Sequence, residues 1–312
     1  MDESRTDSSA GMMMNSKEGY SPASQNLTVV LPALNEEDAI EQVLAELREA
    51  GYGRILIVDG HSVDRTVELA AQQGAQVIVQ EGTGKAGAIR TAIRRVDTPY
   101  LLFMDCDHTY DPKDIRRLLD SIDRYDMVIG TRKEGRSNIA TVNRLGDWVI
   151  TKTFNYLLGA DLIDVCSGMY LLRTERAKTL DLTAGGFSVE ADIVSQVLMQ
   201  GPIAQVPVSF RKRLGKAKLA RWRDGLRILR SVFILARRHN PMFLFFYLAI
   251  GAGLPASLLL LWVAYENLFR GVWHSGYALF GGILILASFQ CFTLAAFAVM
   301  LKRMERRIER RF

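Results

Sequence analysis

Two stretches toward the C-terminal end of the chain, Phe243 to Tyr265 and Tyr277 to Met300, contain no Asp, Glu, Lys or Arg. An apolar run of ~18 or more residues is long enough, as a helix, to cross ~30 Å of hydrocarbon. A helix that is apolar all round has no face to offer water. Both runs are therefore expected to span a membrane rather than to be core helices of a soluble domain. They divide the 312 residues into a leader (1–26), a soluble domain (27–216), a juxtamembrane segment (217–240), a two-helix hairpin (241–301) and a basic tail (302–312). The leader is rich in Ser, Asp, Gly and Met, lacks the apolar core of a signal peptide, and is expected to be disordered.

Charge gives the orientation. Lys and Arg crowd the segment from Arg211 to Arg238 and the tail "KRMERRIERRF", whereas the loop between the spans has only Arg270 as a basic residue. The positive-inside rule then puts the soluble domain and both termini on the cytoplasmic side of a cell membrane. Much of the net charge of +5 lies beside the expected bilayer, which points to membrane lipid, either anionic headgroups or a charged lipid substrate. No nucleic-acid-binding motif accompanies it. Leu219, Trp222, Leu226, Leu229 and Phe233 recur at three and four with Arg221, Arg223, Arg227 and Arg230 between them, the pattern of an amphipathic helix on a membrane surface or of a domain-packing helix with a basic outer face. Cys106, Cys166 and Cys291 form no CxxC pair, which argues against a disulfide framework or structural zinc site and suits a reducing compartment.

The soluble part alternates strand and helix. "LTVVL" reads as a strand leading through Pro32 to a helix capped near Asn35, with Ile40, Val43, Leu44 and Leu47 as its buried stripe. "RILIVDG", "AQVIVQ", "YLLFMD" and "DMVIGTR" are further strands, separated by helical "HSVDRTVELAAQQG", "IRTAIRRV" and "IRRLLDSI". Such alternation predicts an α/β fold, a mostly parallel sheet covered on both faces, with ligands beyond the carboxyl ends of the strands. Polar clusters fall on that edge: Asn35 and Glu36, Asp59, Asp105 and Asp107, Thr131 and Arg132.

No GxGxxG follows the first strand, and "EGTGKAG" fails as a phosphate-binding P-loop because Val79 and Ala86 replace the required Gly and Ser or Thr. With Lys85 and Arg90 the segment is either a diphosphate cradle at a helix start or a flexible turn with a solvated lysine. Asp105 and Asp107 stand two apart, so an extended backbone sends both to one side, where they can share a cation. A DxD alone is also an ordinary Asp-rich turn, but on a shared polar rim it reads as a site for Mg²⁺ or Mn²⁺ bridged to a diphosphate.

These segments resemble the family 2 glycosyltransferases of GT-A fold through "LPALNEE", "IVDGHSVDRT", "GKAGAIR", "FMDCDHTYDP" and "VIGTR", over residues 27 to 220. "NRLGD", "DVCSGMYLL", "GFSVEADI" and "VPVSFRKRLGKAKL" are most similar to the polyprenyl-phosphate hexose synthases, the dolichyl-phosphate mannose synthase type. The resemblance implies an inverting transfer of a hexose or N-acetylhexosamine from a UDP- or GDP-linked sugar to dolichyl or polyprenyl phosphate, supplying lipid-linked sugar for glycosylation. It implies that Pro32, Asn35, Glu36 and Asp59 hold the nucleoside, that Lys85 lies near the diphosphate, and that Asp105 and Asp107 hold the metal. Arg132, Arg144, Arg213 and Lys216 would receive the acceptor phosphate, with Asp107, Arg132 and Arg144 catalytic, and Ser167, Gly168 and Glu190 would shape the sugar pocket. Glu190 and Asp192 also fit plain exposed acids early in a helix. The chain departs from the family pattern at Gly60, Thr109, Tyr170 and Ala217, where Asp, Gln, Arg and Ser are usual; at Tyr170 the usual residue is the Arg that follows "SGF". A processive polysaccharide synthase, a catalytically inactive membrane scaffold and a homo-oligomeric assembly are compatible with the same sequence.

Overall fold

The computed structural model describes residues 25–182, 189–215 and 242–309; for residues 136, 142, 157, 242–244 and 302–309 it describes the backbone alone. The leader, apart from its last two residues, and the whole amphipathic segment 217–240 lie outside the described residues, as does Lys216.

Strand β1 (Leu27–Ala33) is apolar apart from Thr28 and has buried residues on both faces. It pairs in parallel with β2 (Ile55–Asp59) and β4 (Tyr100–Phe103), and β2 pairs in parallel with β3 (Gln76–Val79). The helices α1 (Ile40–Glu49), α2 (Thr66–Gln72) and α3 (Gly84–Arg95) make the crossovers. The stripe Ile40, Val43, Leu44 and Leu47 is buried as its spacing predicts. Helix α1 starts later than expected, however. Asn35 lies in the left-handed region at φ 52°, and the turn that opens the helix forms on the Glu36 carbonyl. Asn35 instead caps a loop, its Oδ1 accepting from the Val63 N–H at 2.8 Å.

Beyond β4 come the short helix α4 (Ile115–Leu119), β5 (Met127–Glu134), α5 (Thr141–Leu158), β6 (Tyr170–Arg173), α6 (Thr174–Lys178), α7 (Val189–Gln200) and β7 (Ile203–Ser209). The seven strands lie in the order β3-β2-β1-β4-β6-β5-β7, and β6 runs antiparallel to both of its neighbours. The sheet is thus mixed at this point, where alternation alone predicts parallel pairing. "YLLR" is too short for its direction to be read from periodicity.

Two apolar clusters cover the sheet. One contains Leu27, Leu31, Leu44, Leu102 and Val208. The other contains Ile89, Phe103, Phe154, Tyr170 and Ile193, and it extends into the C-terminal helices. Those helices are α8 (Met242–Arg270) and α9 (Ser275–Glu309), in which Phe245–Arg270 and Ser275–Leu301 are long and apolar enough to cross a membrane. They pack closely along one another: Ser288 Oγ donates to the Ala249 carbonyl at 2.7 Å, and a Cβ on Gly253 would meet Ser288 Oγ at 2.5 Å. With 35 residues, α9 rises ~52 Å, well beyond the hydrocarbon thickness. Its Ala295 and Val299 are buried in the same cluster as Ile150, Phe154 and Leu158 of α5, so the unbroken helix already packs on the flank of the α/β domain within the last two turns of its apolar segment.

Candidate active site

The carboxyl ends of β1, β2 and β4 open onto one rim. Asp59 ends β2, is 3% exposed, and its Oδ2 accepts from the backbone N–H groups of His61 and Ser62 at 3.0 and 3.1 Å. Ser62 Oγ in turn accepts from the Asn35 N–H, and Thr66 Oγ1 from the Glu36 N–H at 2.7 Å. These bonds tie the loop that follows Pro32 and Ala33, the last residues of β1, to the loop after β2 and leave the Glu36 carboxylate facing the rim's centre.

After β4 the chain alternates. Cys106 is buried in the core, while Asp105 and Asp107 on either side of it supply carboxylates to the rim. Each is met by a cation from a different direction. Lys85, in the first turn of α3, places Nζ 2.5 Å from Asp105 Oδ1 and 2.6 Å from Glu190 Oε1, which projects from the first turn of α7. Burial opposes the lysine's charge, yet Asp105 and Glu190 outweigh it and hold the ammonium well above its ordinary range. On the other side Arg213 donates to Asp107 Oδ2 at 2.8 Å and to Glu36 Oε1 at 2.7 Å. Burial, then the neighbouring Asp105, push the Asp107 carboxyl above its ordinary value, against Thr109 and Arg213, which pull it down.

Gly168 is required by this geometry. A Cβ there would stand 2.5 Å from Asp105 Cγ and closer still to Oδ2, so only glycine leaves the carboxylate its place. Its N–H donates to Tyr110 Oη at 2.7 Å, and Ser167, buried beside it, donates to the Gly130 carbonyl.

Arg132 belongs to a neighbouring cluster. Its Nε and one terminal nitrogen donate to the two oxygens of Asp164 at 2.7 and 2.8 Å, and that terminal nitrogen also reaches Asp147 Oδ2 at 3.0 Å. Its guanidinium lies 5.6 Å from the centre of the Phe210 ring. Phe210 packs edge-on against Tyr110 at 5.3 Å, so Tyr110 stands between the two clusters. Among the described residues Arg144, on α5, bonds Thr141 Oγ1 at 3.4 Å and joins neither cluster.

The structure thus brings together Glu36, Lys85, Asp105, Asp107, Gly168, Glu190 and Arg213, and holds Asn35 in the adjoining loop and Asp59 at the end of β2. Sequence reasoning assigned no role to Tyr110, Asp147 or Asp164. Tyr110 and Asp164 stand within "FMDCDHTYDP" and "DVCSGMYLL", but only the pairing across the sheet reveals what they hold. It also missed the latch made by Arg211, which donates to Glu46 Oε2 at 2.6 Å and pairs with Asp111 at 2.5 Å, and whose backbone N–H donates to the Thr109 carbonyl at 2.7 Å. That latch fixes the segment carrying Arg213 onto the segment carrying Asp107.

Among the described residues no group of three or more His, Cys, Asp and Glu side chains is placed to hold a metal ion. The donors at the rim are nonetheless suited to a hard divalent cation: they are oxygens only, the two carboxylates repel each other, and the missing Cβ at 168 leaves Asp105 room.

The family model described as Glycosyl transferase family 2 matches residues 28–180. The chain is 32% identical over 260 residues to Glycosyltransferase AglJ of Haloferax volcanii, covering 81% of this chain and 86% of that one. It is 35% identical to the Dolichyl-phosphate hexose transferase of the same organism, covering 66% and 92%, and 28% identical to the Polyprenol monophosphomannose synthase of Mycolicibacterium smegmatis, covering 68% and 86%. Among solved structures, glucosyl-3-phosphoglycerate synthase from Mycobacterium tuberculosis with Mn²⁺, UDP-glucose and phosphoglyceric acid superposes with a TM-score of 0.54 at 24% identity, over 67% of this chain and 78% of that one. That likeness extends to the fold, the GT-A type. The carboxylate rim, the mixed sheet beneath it and relatives matched over most of their length agree: the chain is a glycosyltransferase and belongs to glycosyl transferase family 2.

Proposed function

We propose that the chain transfers a hexose or N-acetylhexosamine from a nucleotide diphosphate sugar to polyprenyl phosphate at the cytoplasmic face of a membrane. The observation that carries this reading is the flanking of Asp105 and Asp107 by Lys85 on one side and Arg213 on the other, in a domain packed directly against two membrane-length helices. Relatives named for dolichyl-phosphate hexose and polyprenol monophosphomannose chemistry support the lipid acceptor.

Asp105 and Asp107 would hold Mg²⁺ or Mn²⁺, which neutralises the departing diphosphate when bound. Pro32, Asn35, Glu36 and Asp59 line the nucleoside side of the rim, and Lys85 approaches the diphosphate from the start of α3. Ser167, Gly168 and Glu190 close the sugar side. A lipid phosphomonoester is largely dianionic at neutral pH, its second pKa being ~6, and needs no general base to attack the anomeric carbon in line, with inversion. Arg213, with Arg132 in the neighbouring cluster, draws that anion in against the charge of the donor; Arg144, which joins neither cluster, has no part in this geometry, and Lys216 lies outside the described residues. Arg132 is aimed by Asp164 and reached more loosely by Asp147, the more exposed of its two acids.

The test offers the purified protein a panel of UDP- and GDP-sugars with Mg²⁺ or Mn²⁺ and dolichyl phosphate, and identifies any lipid-linked sugar by mass. A lipid-phosphate sugar formed only with divalent cation, and lost in Asp107→Asn, is the expected outcome. Absence of any such product, or unimpaired product from Asp107→Asn, refutes the assignment.

A further inference from the structure

Tyr170 holds a feature that the proposed transfer leaves unused. The residue is 1% exposed, and its hydroxyl is buried with no hydrogen-bond partner among the described residues. A buried hydroxyl without a partner is destabilising, and native structures seldom retain one without a reason.

Its position suggests the reason. On β6 the side chains alternate: Leu171 enters the cluster beneath α1, while Tyr170 enters the opposite cluster, shared by Ala86 and Ile89 of α3 and Val189 and Ile193 of α7. Its ring packs on Phe103 at 5.2 Å, directly across the strand pair and two residues before Asp105. The helices covering that face carry Lys85 and Glu190 in their first turns, and the charges bearing on the phenol are, after burial, those of Glu190, Lys85 and Asp105. Burial and the two acids hold it well above its ordinary range, so it is a neutral O–H donor at every working pH. It has an acid near it, but that acid is engaged by Lys85 at 2.6 Å.

We propose that Tyr170 is a positioning residue held in reserve for Glu190: when the donor diphosphate draws the Lys85 ammonium away, the Tyr170 hydroxyl donates to the Glu190 carboxylate and keeps it buried and aimed at the sugar. One ammonium serves two carboxylates in the ligand-free rim. Occupation of the site supplies Asp105 with a new cationic partner and Lys85 with a new anionic one, which leaves Glu190, 6% exposed, without a counter-charge. A buried carboxylate in that position needs a donor, and the unpartnered phenol supplies one. This role rests on the donor-binding reading of the rim.

The experiment is thermal melting of the full-length protein in detergent, with and without UDP- and GDP-sugars and Mn²⁺, for wild type, Tyr170→Phe, Glu190→Gln and the double variant. Tyr170→Phe is expected to melt at or above the wild-type temperature when free, because it removes a hydroxyl that bonds nothing. The donor-induced rise is expected to shrink, corresponding to a donor dissociation constant raised about tenfold or more. In the Glu190→Gln background, Tyr170→Phe is expected to bring no further loss, since the two act as a pair. A lower melting temperature for free Tyr170→Phe, an equal donor response in wild type and Tyr170→Phe, or additive losses in the double variant overturns the proposal while leaving the donor reading intact. A wild-type protein that responds to no nucleotide sugar overturns both.

Discussion

Replacing Gly168 by alanine tests the rim at the point where its geometry is tightest. The added Cβ would stand 2.5 Å from Asp105 Cγ. Relaxed contact between carbons is ~3.5–4.0 Å, so the carboxylate has to retreat by about 1 Å or more. Three constraints resist that retreat: the Lys85 ion pair at 2.5 Å, the buried Cys106 next in the chain, and the β4 strand that precedes. Accommodation falls on the Asp105 side chain, and a ~1 Å misplacement of a reacting or ligating group costs ~100-fold in rate. The overpacking itself should lower stability by ~1–3 kcal/mol, leaving the protein folded. Sugar transfer measured across a Mn²⁺ titration should therefore show both a fall of ~100-fold in kcat/KM and a higher cation requirement, with a circular-dichroism melt confirming the fold. Transfer within about threefold of wild type at an unchanged cation requirement would show that Asp105 is not held where the structure puts it, and the reasoning from Gly168 would fail.

The same geometry sets other outcomes. Because burial and Asp105 raise the Asp107 carboxyl in the folded state, its ionisation at neutral pH opposes folding; Asp107→Asn should keep or raise the melting temperature while transfer falls ~100-fold or more, a divergence that calorimetry and turnover together reveal. Asp164→Asn removes the two-oxygen partner of Arg132 and should cost ~3 kcal/mol, read as a lower denaturant midpoint, with smaller effect for Asp147→Asn. Burial favours the neutral form of Glu46, yet His108 and Arg211 outweigh it and hold the carboxyl below its ordinary value; its contribution is present above the unfolded carboxylate pKa and lost as pH falls through the lower folded value. Glu46→Gln should accordingly flatten the loss of stability with acid below about pH 4, measured by melts across pH.

Much of this molecule is legible in its sequence. The first five strands and α1 announce themselves by apolar runs and by the period of Ile40, Val43, Leu44 and Leu47, and the rim is legible with them because strand ends in such folds share an edge. The pairings are not legible. Lys85 meets Glu190 and Arg213 meets Glu36 across long sequence separations, and neither periodicity nor composition encodes which distant acid a lysine will find. Asn35 carries the composition of a helix cap, but Ser62 and Val63 bind it into a loop instead, a tertiary contact overriding a local preference. The antiparallel β6 is the clearest loss, since the four residues "YLLR" are too few to be read as a strand by period, let alone to show a direction.

The unbroken course of α9 couples rotation to height. Each residue added to an α-helix turns the remainder of the helix by about 100° and advances it by ~1.5 Å. One residue inserted near Leu286 would swing Ala295 and Val299 off α5. Seven would bring them back to within about 20° of phase, but ~10 Å further along the axis. The membrane-length helix and the flank of the α/β domain are indexed to each other like teeth on one shaft, so the height of the domain along the helix can change only in whole turns.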